Sequence, residues 1–120
     1  MQDLRHLAGD APRVMVVDGS KLVRRLISDV LRQALADVEV VECTGLAEAV
    51  VALDAAPVDL VSTALSLPDG DGLQLARRVR EATGQRYVPV IVVSGDAQSH
   101  LESRRFTEDV TDHFDKALGH

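Results

Sequence analysis

Aromatic residues are scarce in this sequence: its 120 residues include two phenylalanines, one tyrosine and no tryptophan. A chain with so few planar side chains lacks the stacking surface on which single-stranded nucleic acids bind. The formal net charge of −6 also disfavours attraction to nucleic acids or to anionic membranes. We therefore expect neither nucleic acid nor a membrane among the binding partners of this chain.

Cysteine is scarce as well, because Cys43 is the only one in the sequence. A single thiol cannot form an internal disulfide, and this absence favours a cytoplasmic location. The sequence contains no apolar run of about 18 residues, so no transmembrane helix is expected. The four histidines share no metal-ligand spacing, which argues against a histidine-based metal site; they are His6, His100, His113 and His120.

Hydrophobic residues make up 46% of the sequence, enough for the core of one compact domain. We expect residues 1–12 to be an N-terminal tail or linker and residues 13–120 to form the domain. Short apolar runs predict strands over 13–17, 38–43, 60–64, 88–93 and 113–115. Helical spacing of apolar residues predicts helices after Ser20 and over 46–53, 73–83 and 98–106. The apolar positions of the first helix are Val23, Leu26, Ile27, Val30, Leu31 and Ala34.

Strands and helices alternate along the whole domain, which is typical of βαβ units with right-handed crossovers and a parallel sheet. Five strands of this length predict an α/β, flavodoxin-like doubly wound sheet with strand order 2-1-3-4-5. Ligands of such sheets bind beyond the carboxyl ends of the strands, near the point where the strand order reverses. The residues expected there are Asp18, Gly19, Ala64, Ser94 and Lys116.

Motifs around these strand ends resemble those of the receiver domain of bacterial two-component response regulators, the CheY-like fold. The spacing from Ala64 to Ser94 and the spacing from Ser94 to Lys116 both match the register of that family. The resemblance extends over most of the chain, which makes the combined motifs much more specific than any one of them. The matching segments are 16–20 followed by Arg24 and Arg25, then 57–61, 67–73, 92–95 and 114–116.

The resemblance implies a known chemistry in which an aspartate becomes phosphorylated with the help of magnesium. Asp18 matches the first acidic position of that site, but Gly19 replaces the second and Ala64 replaces the phosphate acceptor. The other positions match residues that bind or report the phosphoryl group, or that supply a backbone carbonyl to the metal. These are Ser94 for the switch hydroxyl, Lys116 for the phosphate-binding lysine, His113 for the aromatic switch and Ser66 for the carbonyl.

Two of the three expected carboxylates are therefore missing, and an alanine cannot act as a nucleophile. We expect no catalytic residue, no phosphorylation at the standard position, and weak or absent magnesium binding, because this ion favours anionic oxygen ligands. The predicted function is a degenerate, non-enzymatic receiver that regulates an output domain of the parent protein or binds another signalling protein. The alternatives are a receiver with a non-standard acceptor and a small flavodoxin-like nucleotide-binding domain or enzyme; the single glycine after the first strand disfavours the latter.

Several neighbouring residues have a structural interpretation beside the functional one. Ser20 or Asp18 can cap the first helix, and Lys116 can form an ion pair with Asp18 instead of binding phosphate. Asp69 and Asp71 lie in a glycine-rich stretch and are expected to form a turn. Residues 117–120 are too few for the fifth helix of the family, so we expect a C-terminally truncated domain whose bare sheet face favours a homodimer.

Overall fold

The structure is a computed structural model that describes residues 11–83, 87–94 and 112–115. In these ranges the chain forms seven strands and three helices. The elements are β1 (Arg13–Val17), α1 (Lys21–Ala34), β2 (Glu39–Cys43), α2 (Leu46–Ala55), β3 (Leu60–Ala64), β4 (Ser66–Leu67), β5 (Gly70–Asp71), α3 (Gly72–Thr83), β6 (Val90–Ser94) and β7 (Asp112–Asp115).

The main sheet is parallel and has the order β2-β1-β3-β6-β7. This is the predicted order 2-1-3-4-5, because β4 and β5 form a separate two-stranded hairpin. Val14 pairs with Val40 of β2 on one side and with Leu60 of β3 on the other. The flavodoxin-like architecture expected from the sequence is confirmed.

The central strand β1 is covered on both faces of the sheet, which explains its continuous apolar sequence. Its last four residues expose no more than 1% of their surface. Right-handed crossovers place α1 on one face and α2 and α3 on the other. The core between the sheet and the two helices α2 and α3 includes Met15, Val17, Leu53, Val58, Val61, Leu75, Val79 and Val90.

Helix α1 begins at the predicted cap, because the Ser20 hydroxyl accepts a hydrogen bond from the Val23 amide at 3.3 Å. Its buried side is narrower than the apolar spacing predicts. The residues Val23, Ile27 and Leu31 are half-buried, whereas Leu26 and Val30 remain 56% and 64% exposed. Ala34 is exposed too. The apolar face of this helix is therefore wider than the sheet surface that it covers.

The other predicted elements agree closely with the structure where it describes them. The fourth predicted strand begins at Val90, since Pro89 has no amide hydrogen to donate to a ladder. The fifth strand is confirmed and extends from Asp112 to Asp115. Residues 1–10 of the tail predicted over 1–12, the helix predicted over 98–106 and the chain after Asp115 lie outside the described residues. None of the three helices in the described ranges has the length and apolarity that a membrane crossing requires.

Gly72 fixes the start of α3 against the end of β3. A Cβ atom at this position would lie 2.5 Å from the Ala64 carbonyl oxygen, which belongs to the backbone and cannot turn away. The Gly72 amide also donates a hydrogen bond of 2.7 Å to the Leu65 carbonyl. Only a residue without a side chain allows the helix to approach the strand this closely.

We predict that Gly72→Ala lowers the free energy of unfolding by roughly 2 kcal/mol or more, because the added methyl forces the two backbones apart. Urea unfolding followed by circular dichroism measures this loss. Gly19→Ala is the matched control, since the nearest atom that its new methyl would meet is a side-chain carbon of Pro68 at 3.3 Å, and the nearest backbone oxygen is at an ordinary 3.9 Å. Equal losses in the two variants would contradict a backbone clash at Gly72.

Candidate functional site

The carboxyl ends of the parallel strands form one edge of the sheet, as the topology requires. Val17 pairs with Thr63, and Ala64 pairs with Val93. Asp18 follows β1 directly and Ala64 ends β3, so the register brings their backbones to neighbouring positions. The structure thus brings these two predicted site residues together at the point where the strand order reverses.

Ser94 and His113 join this arrangement through their strand positions. Ser94 ends β6 and pairs with Asp115 of β7, and His113 pairs with Val92. The backbone pairing of the strands places both residues here. Lys116, the predicted phosphate-binding lysine, lies outside the described residues.

Asp18 is a buried carboxylate, with 5% of its surface exposed. Its Oδ1 accepts a hydrogen bond of 2.9 Å from the Ser20 amide, which shapes the turn before α1. Arg24 fixes the same turn, because its Nη1 donates to the Asp18 carbonyl at 2.7 Å. Arg24 also pairs with Glu42 at 3.4 Å, which links the turn to β2. The Asp18 side chain therefore has a structural role as a turn residue, while Ser20 caps the helix.

Gly19 is exposed and lies beside the hairpin that follows β3. A Cβ atom at this position would lie 3.3 Å from the Cγ atom of Pro68. This distance is tighter than most carbon contacts, so any side chain here requires the proline to move by a few tenths of an ångström. Glycine supplies no second carboxylate at this position, and the space beside it is partly taken by the Pro68 ring.

Ala64 is buried at the end of β3, with 7% of its surface exposed, and it belongs to the hydrophobic core. Its carbonyl accepts a hydrogen bond of 2.9 Å from the Thr63 hydroxyl. The methyl group supplies neither a nucleophile nor a metal ligand. Consequently the end of β3, where the strand order of the sheet reverses, is apolar.

The oxygen donors at this edge do not fit a magnesium ion. Asp18 offers a carboxylate and Ser66 can offer a carbonyl, whereas Gly19 and Ala64 offer no side-chain ligand. In the ranges 11–83, 87–94 and 112–115, no group of three histidine, cysteine or acidic residues is placed to hold a metal. Magnesium gives up its water reluctantly and favours anionic oxygens, so one carboxylate and one carbonyl form a poor site.

Asp69 holds the β4–β5 hairpin against the start of α2. Its Oδ1 accepts a hydrogen bond of 2.7 Å from the Leu46 amide and its Oδ2 accepts one of 2.9 Å from the Ala47 amide. These two bonds lower the pKa of Asp69, because they favour the charged carboxylate. The carboxylate thus caps a helix from which it is separated in the sequence by the whole of β3.

The cap requires Gly45, which precedes α2 and provides no side-chain hydrogen bond of its own. A Cβ atom at Gly45 would lie 2.5 Å from the Asp69 Oδ1. The sequence does not predict this contact, because a cap from a distant loop leaves no local pattern. The sequence offers one signal of a distant cap, which is that a glycine and not a capping side chain precedes the apolar residues of α2.

Asp71 caps α3 in a reciprocal arrangement with Gln74. The Gln74 amide donates to the Asp71 Oδ1 at 2.8 Å, and the Asp71 amide donates to the Gln74 Oε1 at 2.9 Å. This is a capping box, in which each side chain satisfies the other residue's amide. Both aspartates of the hairpin are thus engaged in helix caps, which supports their interpretation as structural residues.

Cys43 ends β2 and is buried, with 2% of its surface exposed. Burial, and next the charge of Glu48, raise the pKa of this thiol to about 11. The thiol is therefore protonated at neutral pH and is a weak nucleophile.

A family model described as the response regulator receiver domain matches residues 14–120. The chain is 30% identical over 105 residues to the two-component response regulator ORR5 of Oryza sativa, and the match covers 87% of this chain and 77% of that protein. It is also 30% identical over 111 residues to the sensor histidine kinase TmoS of Ectopseudomonas mendocina, covering 92% of this chain. The chain spans only 11% of that kinase.

A third relative is a protein-glutamate methylesterase/protein-glutamine glutaminase of a Nocardioides species. It is 40% identical over 84 residues, which cover 68% of this chain and 22% of that protein. Two of these three relatives are therefore much longer than the matched segment.

Solved structures of receiver domains share this fold. The response regulator TrrA of Thermotoga maritima, in complex with magnesium and beryllofluoride, aligns with a TM-score of 0.73 at 22% identity, over 89% of this chain and 88% of that one. A receiver domain from Clostridium thermocellum aligns with a TM-score of 0.73 at 18% identity, over 88% and 82% of the two chains. Identities this low establish the fold alone.

We predict that Asp69→Ala lowers the urea midpoint of unfolding, because two amides at the start of α2 lose their acceptor. Asp54→Ala is the matched control, since Asp54 is exposed on the same helix. The pKa of Asp69 is lowered in the folded state from its ordinary value of 3.8. The carboxylate therefore contributes fully to the stability of the fold above pH 3.8, and this contribution is lost as the pH falls below that value. Midpoints measured at several pH values test this. A gap between wild type and Asp69→Ala that is constant with pH would contradict the charged cap.

Proposed function

Because this chain belongs to the family of response regulator receiver domains, we propose that it is a degenerate receiver that binds other proteins without being phosphorylated at the standard position. In this proposal the domain regulates an output domain of its parent protein, or a separate signalling protein, in a two-component pathway. Its state is set by binding of that partner. It carries out no catalysis of its own.

The observation that carries this proposal is the methyl group of Ala64 at the end of β3. This residue occupies the strand end beside Asp18, where the family places its acceptor aspartate. Phosphoryl transfer to a receiver needs a carboxylate nucleophile at this point and a metal ion to neutralise the developing charge. Ala64 leaves the site without the nucleophile, and Gly19 leaves it without one of the carboxylates that would bind the metal ion.

The remaining members of the family pattern take a different role in this proposal. We expect Lys116 to neutralise Asp18 instead of binding a phosphoryl group, as an ion pair between the two would do. Ser94 keeps its place at the end of β6 but binds no phosphoryl oxygen, and His113 does not report phosphorylation. The buried position of the Asp18 carboxylate supports this view, because a buried charge is stable only with partners.

The relatives support a role within larger proteins. The matched segment occupies 11% of a sensor histidine kinase and 22% of a methylesterase, so receiver segments of this kind accompany other domains. We propose the same for this chain, with the attached domain or a signalling protein as its partner. The buried, protonated thiol of Cys43 and the absence of other cysteines support a cytoplasmic location.

We predict that the wild-type protein gains no phosphoryl group when it is incubated with acetyl phosphate and magnesium. Intact-mass spectrometry and a phosphate-affinity gel measure the adduct. A phosphorylated receiver that carries its aspartate is the positive control. A stoichiometric adduct would contradict the proposal, and peptide mapping of that adduct to Asp18, Asp69 or Asp71 would identify a non-standard acceptor instead.

We also predict that Ala64→Asp alone restores only a minor fraction of phosphorylation, whereas Ala64→Asp combined with Gly19→Asp restores substantially more. The second carboxylate completes the anionic ligand set that magnesium needs. The matched control is Ala64→Asn with Gly19→Asp, which has nearly the same shape but no nucleophile. Full labelling of the single variant Ala64→Asp would show that the metal site is intact without a carboxylate at position 19.

A further inference from the structure

Helices α2 and α3 lie side by side and form an open groove on the face of the sheet opposite α1. The groove has a volume of about 430 Å³ and is lined by Leu46, Ala47, Val50, Asp69 and Arg78. Val51 lies one helical turn after Ala47 and exposes 70% of its surface. The groove thus has an apolar floor on α2 and a cationic border on α3.

The charges of this face are divided between the two helices. Helix α2 carries two acidic residues and neither lysine nor arginine, and α3 carries three arginines and one glutamate. The carboxylate of Asp69, between them, accepts two amide hydrogen bonds from the start of α2. The face is therefore acidic on one side and basic on the other.

Some of these charged side chains already form contacts within the chain, and the others are the ones that a partner could bind. Glu48 accepts hydrogen bonds from Thr44, and Arg80 donates to the Val88 carbonyl and lies over the ring of Tyr87. By contrast, Asp54, Arg77 and Arg78 are exposed and form no salt bridge with another residue of the described ranges.

We propose that this α2–α3 face is a homodimer interface, with a second copy of this chain as its occupant. A two-fold axis places α2 of one copy against α3 of the other, so that each acidic helix meets a basic one. The symmetry forms two such contacts between an acidic and a basic helix, and Val50 and Val51 of both copies are buried between them. A face whose two halves carry opposite charges is complementary to itself under this symmetry.

The expected dimer is small and therefore depends on concentration. The two helices contain 10 and 12 residues, about 15 and 18 Å at the usual rise per residue. Interfaces of this size belong to the weak end of specific association. This inference supplies one partner for the interaction module proposed above, yet it does not depend on the phosphorylation state of the domain.

Analytical ultracentrifugation and light scattering of the 120-residue chain test the proposal. The wild type is expected to shift from a mass of 12.9 kDa towards twice that value as its concentration rises to about 1 mM. High salt weakens the dimer, because exposed charge pairs are screened. A wild type that remains monomeric across this range would overturn the proposal, while leaving the phosphorylation experiments unaffected.

Two charge variants locate the interface. The α2-basic variant combines Asp54→Lys with Ala55→Lys, and the α3-acidic variant combines Arg77→Glu with Arg78→Glu. Each is expected to be monomeric alone, because like charges then meet, whereas an equimolar mixture forms a heterodimer. The matched control, Arg25→Glu with Arg32→Glu, makes the same charge change as the α3-acidic variant but on α1, and it is expected to dimerise like the wild type.

The outcomes separate this interface from the others that the fold offers. The α2–α3 assignment would be overturned if either charge variant formed a dimer by itself. It would also be overturned if the two folded variants formed no heterodimer when mixed. Loss of the dimer in the α1 control would place the contact on the exposed side of that helix, at Leu22, Leu26 and Val30. Circular dichroism of each variant confirms that the chain is folded before its mass is interpreted.

Discussion

The parallel pairing of β1 with β3 is the constraint on which the rest of this structure depends. Because Val17 is opposite Thr63, the chain must leave β1 beside the end of β3. The turn at Asp18 and the methyl group of Ala64 then share one edge of the sheet. In a family that uses this edge for phosphoryl transfer, the two residues determine which chemistry is possible. Here they provide one carboxylate that shapes a turn and no nucleophile.

The hairpin after β3 shows how the surrounding structure is organised around that edge. Asp69 caps α2, Asp71 caps α3, and Gly72 lies against the backbone of Ala64. The hairpin therefore connects the strand end to the starts of two helices through short hydrogen bonds. These contacts depend on backbone amides and on close approach, so they form without a phosphoryl group or a metal ion.

The strand order and the strand ends could be predicted from the sequence, because apolar runs followed by turns and helical spacing leave little choice of topology. The start of α3 was predicted closely, and its cap follows from local chemistry. The distant cap from Asp69 could not be predicted, since β3 and the rest of α2 lie between this residue and the amides that it caps. The exposure of Leu26 and Val30 could not be predicted either, because it depends on how much of α1 the sheet covers.

We propose that this edge of the sheet binds neither magnesium nor a phosphoryl group. The most direct measurement is a titration of the isotope-labelled protein with magnesium and beryllofluoride, followed by the backbone amide signals of Asp18 and Ala64 in NMR spectra. We expect that these signals do not move in a saturable way at millimolar magnesium. Saturable shifts of both signals, with an affinity typical of a working receiver, would contradict it.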